Sequence, residues 1–283
     1  TLALPNNKRK IICATALINA NGGFTMTKVA MITGGAQGIG AEIARHLSKK
    51  GYDIAIGDLP QQKEKAQAVI TEVASAGQKA VFIPVDVTNQ ANVAKAVDDA
   101  ASQLGGFDVM VNNAGVARVD KFEDIKPEDL EFSFKINVFG VIYGIQAAAK
   151  KFKELGVPGK IINASSIAGM RAFPVWATYS ATKAAVISIT QAAANEFAAD
   201  HITVNAYAPG VVGTTGMWDE IDRKMSEING KPLGQNKKDF IGTIPLGRTV
   251  EPNDIANIVE FLASPEADFI TGQAYAVDGG GLL

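Results

Sequence analysis

From Lys28 onward, short apolar runs alternate with longer stretches whose apolar residues recur every three to four positions. Val29-Ala30-Met31-Ile32 is apolar at every position, the pattern of a strand covered on both faces rather than one. The spacing predicts strands over 28–33, 53–57, 80–85, 107–112, 159–164, 201–207 and 273–277, with helices over 38–50, 61–76, 89–104, 128–154, 176–199 and 252–263. Strands that alternate with helices imply repeated βα units with right-handed crossovers, and so a parallel sheet with helices on both faces. The predicted fold class is therefore α/β, a single doubly wound domain over residues 26–283 with a seven-stranded parallel sheet. Loops leaving the carboxyl ends of the strands then share one edge, where a ligand binds.

The alternation breaks in two places. Residues 211–248 carry Val211-Val212-Gly213-Thr214-Thr215-Gly216-Met217-Trp218, a mixed-charge stretch and then Gly242-Thr243-Ile244-Pro245. A long irregular connection of this kind reads as a small substrate lid, with a plain surface excursion as the alternative. Ahead of the first strand, Lys8-Arg9-Lys10 followed by 11–20 loosely mimics the charged and apolar parts of a secretory signal, but Met26 immediately precedes the domain. The preferred reading takes Met26 as the natural start and residues 1–25 as an extension outside the fold. No run of 18 or more apolar residues occurs, so no membrane-crossing helix is predicted.

Composition narrows the function without naming it. Of the 283 residues, 47% are hydrophobic and 20% charged, the balance of a globular chain. Lys and Arg total 27 against 29 Asp and Glu with no basic block, so the expected partners are small molecules, not nucleic acid or an anionic membrane. Cys13 is the sole cysteine, which excludes an intrachain disulfide and argues for a reducing, cytoplasmic setting. The only histidines, His46 and His201, fall far from the other candidate residues and read as structural, leaving triad hydrolysis and zinc catalysis without their usual groups. No metal is expected.

Chemistry concentrates at the strand ends. Thr33-Gly34-Gly35-Ala36-Gln37-Gly38-Ile39-Gly40 links the first strand to the first helix. Glycines there let the backbone approach a pyrophosphate, and the helix N-terminus supplies free N–H groups. Asp58, eighteen residues after Gly40 at the end of the second strand, is placed to accept from both adenosine ribose hydroxyls; a strand-end cap is its bland alternative. A 2′-phosphate would be repelled by that carboxylate, and with Gln37 before Gly38 and Leu59-Pro60 after Asp58 no arginine is evident to neutralise it. The expected cofactor is NAD rather than NADP. Asp86-Val87 and Asn112-Asn113-Ala114-Gly115 end the third and fourth strands on the same edge.

Tyr179 and Lys183 stand four residues apart and share a helix face. A free tyrosine titrates near ~10, so proton exchange near neutrality asks for a shift of about three units, or roughly 4 kcal/mol. One cation at ~4 Å contributes about that much at an effective dielectric near 20, and oxidised nicotinamide would add a second positive charge. Lys183 is thus expected to make the Tyr179 phenol acidic.

Taken together, the turn ending at Gly40, Asp86, Asn112 to Gly115, Asn137, Ser166, Tyr179 with Lys183, and Pro209-Gly210 leading to Thr214 resemble the short-chain dehydrogenase/reductase family, over residues 28–283. The resemblance implies a Rossmann fold, an adenine contact at Asp86, a nicotinamide amide contact at Thr214, and a catalytic set of Asn137, Ser166, Tyr179 and Lys183. In it Ser166 holds the substrate oxygen, Tyr179 exchanges the proton and Asn137 positions a relay water. Ser165 rivals Ser166, but the thirteen-residue interval to Tyr179 matches the family at Ser166. The expected cofactor contacts are Gly34, Gln37, Gly38, Ile39, Asp58, Leu59, Asp86, Val87, Asn113, Ala114, Gly115, Pro209, Gly210, Val212 and Thr214, with Tyr179 and Lys183. A homotetramer built partly on the helices 128–154 and 176–199 is also implied.

The stretches 212–222 and 228–234, with Val138-Phe139, 144–148 and 159–164, are similar to the family's bacterial acetoin/diacetyl reductase branch, the 2,3-butanediol dehydrogenases. One residue around Thr214-Thr215-Gly216 is extra relative to that branch. A pocket roofed by Met217 and Trp218 and floored by Ile167 and Phe173 suits a small neutral ketone or vicinal diol. Within the branch, apolar residues at Ile167 and Phe173 imply preference for the S-configured alcohol. Trp218 as lid core, and Arg171 as a surface residue, are the competing assignments. Two other functions stay open: a short-chain reductase of another ketone, polyol or 3-oxoacyl substrate, and a non-catalytic NAD sensor or scaffold.

Overall fold

The computed structural model describes residues 28–282, together with the backbone of Leu17–Ile18 and Phe24–Thr25. Seven strands form one parallel sheet: β1 Lys28–Thr33, β2 Tyr52–Asp58, β3 Ala80–Pro84, β4 Val109–Asn112, β5 Gly159–Ala164, β6 Ile202–Pro209 and β7 Ala274–Val277. Their spatial order is β3-β2-β1-β4-β5-β6-β7. The chain thus moves outward from β1 to β3 and then crosses back to add β4 on the other side of β1. That reversal opens a crevice at the carboxyl ends of β1 and β4, beyond Thr33 and Asn112. The Leu17–Ile18 and Phe24–Thr25 pair is antiparallel and joins no strand of the large sheet. Cys13, Met26 and the rest of the expected N-terminal extension lie outside the described residues.

Two apolar layers explain the all-apolar strands. Ala30 and Ile32 of β1 pack on one side, with α1 Gly38–Lys49, α2 Lys63–Ser75 and α10 Pro252–Ala263. Val29 and Met31 point to the other side, against α3 Gln90–Leu104, α5 Gly140–Leu155 and α7 Ala177–Phe197. Successive side chains of a strand face opposite ways, so both sets must be apolar to bury both faces. His46 joins the first layer's helices, its ring nitrogens meeting Glu260 at 3.1 Å and Asn253 at 2.9 Å. His201 occupies a left-handed position, φ 57, at the entry to β6.

Two predicted features differ from the structure. The single helix expected over 128–154 is α4 Pro127–Phe134, a π-helical turn over Lys135–Phe139, and α5. A π turn shifts the hydrogen-bond register over a few residues without a proline, so apolar spacing does not register it, and such turns favour functional sites. The combined Pro127–Leu155 stretch also has the length and apolarity of a membrane-crossing helix, 29 residues with a window of mean hydropathy 1.2, although half of that window is buried in the protein's own core. Counting unbroken apolar residues passes over it.

The lid, expected to be irregular, contains α8 Gly216–Asn229 and α9 Gln235–Gly242. Trp218, Ile221, Met225 and Ile228 recur at helical spacing and pack with Phe240 in a third apolar cluster. The charged residues between them mask that stripe. Buried Asp222 ties the two helices, accepting from the Gly234 N–H at 2.6 Å and from Asn236 Nδ2 at 3.1 Å.

Candidate active site

At the crevice, β1 hands the chain to α1 through a turn that only glycine permits. Gly34 adopts φ 64, and a Cβ there would stand 3.0 Å from Ala114 Cα. A Cβ on Gly40 would overlap the Gly34 carbonyl oxygen, so its absence lets the first turn of α1 sit on the strand exit. Asn113 stitches this turn to β4, donating through Nδ2 to Thr33 O at 3.0 Å and Gly34 O at 3.1 Å. Its Oδ1 accepts the Tyr207 hydroxyl at 2.8 Å. Tyr207 is fully buried, burial drives its phenol well above the ordinary tyrosine range, and its bond to Asn113 ties β6 to this turn. Nothing in its sequence neighbourhood points to that role.

The helix start receives no side-chain cap from Gln37, which leaves first-turn N–H groups facing the crevice. Asp58 is pinned at the edge, Oδ2 accepting from the Ala36 N–H at 3.1 Å and Oδ1 from the Leu59 N–H at 2.8 Å. Lys65, a cation whose place here no motif announces, donates to Gln37 Oε1 at 2.8 Å. Asp86 Oδ1 accepts from the Thr88 N–H and hydroxyl at 2.9 and 2.8 Å, and Val87 packs on Gly140 at the π turn's end.

Farther along the crevice, Tyr179 and Lys183 emerge from α7, both buried. The ammonium donates to Ala164 O at 2.8 Å and lies 5.6 Å from the centroid of the Tyr179 ring. It therefore flanks the ring while its hydrogen bond goes to backbone. Burial pushes the Tyr179 phenol up to about 12, with the nearby Ser166 hydroxyl pulling the other way. Burial also brings Lys183 down to about 8. The expected acidification of Tyr179 by its lysine is thus not a property of the protein alone: loss of hydration for the phenolate outweighs a cation held at the ring. Near neutrality Tyr179 is therefore held as a neutral phenol.

Ser166 caps α6 Ile167–Met170, its Oγ accepting from the Ala168 N–H at 3.1 Å and donating to Pro209 O at 3.4 Å. Ser165, its rival, turns its hydroxyl to Lys183 O at 2.9 Å. Asn137 is the one predicted residue that does not line the crevice. It sits fully buried in the π turn, Oδ1 accepting from the Val116 N–H at 2.8 Å, Nδ2 donating to Val116 O at 2.8 Å and Thr182 Oγ1 at 3.0 Å. Thr182 Oγ1 donates in turn to Tyr179 O at 2.8 Å. With both amide hydrogens spent, the Asn137 side chain clamps the strand-end loop to the tyrosine's helix.

All the other predicted cofactor and substrate residues border one continuous cleft of about 850 Å³. Trp218 meets both of its assignments: it borders the cleft, yet is 4% exposed and stands edge-on to Phe240 with centroids 5.5 Å apart. Met217 is 39% exposed at the mouth. Arg171 stacks on Phe173 at 5.3 Å and donates to Gly281 O and Leu282 O, each at 3.3 Å, so it binds the C-terminal backbone. Trp176, absent from the predicted set, also borders the cleft with its ring 5.7 Å from that of Tyr179. Among the described residues, no group of three His, Cys, Asp or Glu side chains is placed to hold a metal ion.

These features fit a dinucleotide: a tight glycine turn and an uncapped helix start border the cleft at Gly34, Gly38 and Ile39, and the Asp58 carboxylate marks one end. Comparison with known proteins agrees. A family model described as enoyl-(acyl carrier protein) reductase matches residues 34–281. The chain is 55% identical over 255 residues to the L-2,3-butanediol dehydrogenase of Corynebacterium glutamicum, covering 90% of this chain and 98% of that protein. It is 45% identical over 260 residues to a diacetyl reductase, (S)-acetoin forming, of Staphylococcus epidermidis, with coverage of 90% and 98%. Among solved structures, an NAD+-bound xylitol dehydrogenase superposes with a TM-score of 0.85 at 28% identity, covering 90% of this chain and 98% of that one. A short-chain type dehydrogenase/reductase from Mycobacterium marinum gives 0.78 at 30% identity, with 90% and 94% covered.

Proposed function

Since the chain belongs to the short-chain dehydrogenase/reductase family, we propose that it is an NAD-dependent reductase of diacetyl and acetoin that also oxidises 2,3-butanediol. The observation that carries this reading is that Ser166, Tyr179 and Lys183 line one cleft together with Asp58. Relatives bearing those two activities by name, at 55% and 45% identity over nearly their whole length, support the substrate class.

When bound, NADH supplies the hydride that the carbonyl carbon takes up. The protein's part is positional and protonic. Ser166 Oγ donates to the substrate oxygen and holds it beside the phenol, and Tyr179 Oη gives its proton as negative charge develops there. In the oxidative direction the same oxygen must accept a proton, which asks for phenolate. The Lys183 ammonium and the positive charge of oxidised nicotinamide both favour that form, against the burial that disfavours it. Asn137 keeps α7 in register with the loop after β4, and a relay water near its π turn would return the proton to solvent. Asp58 favours a free ribose 2′-hydroxyl over a phosphate. Ile167 and Phe173 leave the floor of the pocket apolar, consistent with an S-configured alcohol. The same reading makes the enzyme a cytoplasmic homotetramer with a small-molecule substrate and neither a nucleic-acid nor a membrane partner.

The test is an assay of NADH and NADPH consumption with diacetyl and racemic acetoin, followed by chiral separation of products. Fast turnover with NADH and S-configured alcohols is expected. Turnover confined to polyols or acyl thioesters would replace the substrate, and NAD binding with no carbonyl turned over would favour a sensor.

A further inference from the structure

We propose that Trp176 sets the largest alkyl group the enzyme accepts beside the reacting carbonyl, and that a left-handed backbone at Val175 aims it. The proposal rests on the diketone reading above and adds a size rule to it.

Trp176 borders the cleft yet is 8% exposed, so its indole forms a wall, not a surface flap. It stands nearly edge-on to Tyr179, with ring centroids 5.7 Å apart and planes at 65°. No other aromatic pair among the described residues includes the reactive phenol. The indole packs in the apolar cluster that includes Ala117, Val119, Ala168, Trp218 and Ile221, which joins the strand-end loop, α6 and the lid. A substrate whose oxygen is held between Ser166 and Tyr179 must direct its carbon substituents toward walls of this kind.

Val175 has φ 63, and a β-branched residue in that region is a true outlier. The other non-glycine case among the described residues, His201, lies at a helix end away from the cleft. The backbone around Val175 is held from both sides. Its carbonyl accepts from the Asp120 N–H at 3.0 Å, the Trp176 N–H donates to Phe173 O at 3.2 Å, and Trp176 O accepts from the Ser180 N–H at 2.8 Å. Strain of this sort survives where surrounding contacts over-determine it, and here they fix the residue that carries the wall.

An apolar wall discriminates by volume, and one methylene in such a pocket changes kcat/KM by about 10- to 200-fold. The experiment measures kcat/KM with NADH for diacetyl and for 3,4-hexanedione, which replaces both methyl groups by ethyl. Wild type is compared with Trp176→Ala, Trp176→Leu, Trp176→Phe and Val175→Gly, alongside NADH affinity and thermal midpoint. The hexanedione-to-diacetyl ratio should rise at least about tenfold in Trp176→Ala, less in Trp176→Leu, and little in Trp176→Phe. Val175→Gly, which relieves the backbone and leaves the indole, should move the ratio the same way without loss of thermal stability. Wild-type turnover of diacetyl tests the underlying reading separately. Given that turnover, an unchanged ratio in whichever of the alanine and leucine variants folds and binds NADH normally overturns the assignment to Trp176. An unchanged ratio in Val175→Gly overturns the role given to the strained backbone.

Discussion

Burial disfavours the charged forms of both Tyr179 and Lys183, and both depart from their usual titration for that reason. Lys183 moves from 10.5 to about 8 on folding. Between those values the unfolded chain holds the extra proton, so stability rises as pH climbs through that window. Below it the buried ammonium costs about 3 kcal/mol. Lys183→Met is therefore expected to be more stable than wild type at pH 7, by up to about 3 kcal/mol in urea denaturation, with the gap closing toward pH 10, while reductase activity is lost. An equal or lower stability at pH 7 would mean that the ammonium is better solvated than its burial implies. Tyr179 acts in the opposite sense: its phenol, at 10 unfolded and about 12 folded, adds stability that is complete below 10 and lost as pH rises through 12. Residue spacing makes Tyr179, Lys183 and Asp58 legible, and the family resemblance adds Ser166. The direction of the tyrosine shift is not legible in that way, because it depends on which atoms the ammonium faces and how dry the site is. Tyr207, Trp176 and Val175 stay hidden in the sequence for a related reason, since each acts through contacts made by distant parts of the chain.

At the scale of elements, each functional group depends on how one strand or helix leaves another. Gly40 has no room for a side chain above the Gly34 carbonyl. Gly40→Ala should therefore displace the turn, lowering stability by about 1–3 kcal/mol and weakening NADH binding by at least about tenfold, measured by denaturation and fluorescence titration. Retention of wild-type affinity would show that the turn is more yielding than its packing implies. The lid poses a different question. Asp222 joins α8 to α9 by accepting from Gly234 and Asn236. Losing those bonds in Asp222→Ala should favour the open lid, raising KM for diacetyl roughly tenfold and exposing 230–234 to protease, with NADH affinity little changed. A protected loop with an unchanged KM would make the lid a rigid wall. The seven strands and six large helices are readable because apolar period and length agree along each. The lid helices are not, since charged residues crowd their one apolar stripe, and the π turn adds only a register shift within a helix that looks continuous.

Across the whole molecule, the parallel sheet brings chemistry from both halves of the chain to a single edge. Asp58 ends β2 while Ser166 and Tyr179 follow β5, and the reversal between β1 and β4 lays one cleft along them all. On the proposed reading, binding at the Asp58 end orients the reacting end. Removing the repulsive carboxylate in Asp58→Ala should raise the ratio of kcat/KM with NADPH to that with NADH by at least about tenfold, because Lys65 beside Gln37 remains to meet a 2′-phosphate. An unchanged ratio would place cofactor choice elsewhere in the cleft. Whether one phenol delivers the proton to a small ketone is decided by Tyr179→Phe, with diacetyl-dependent NADH oxidation and NADH affinity measured on the same preparation. A fall in kcat of about 10²- to 10⁴-fold with NADH binding preserved is expected. Near-normal turnover in that variant would remove Tyr179 from the role of proton donor.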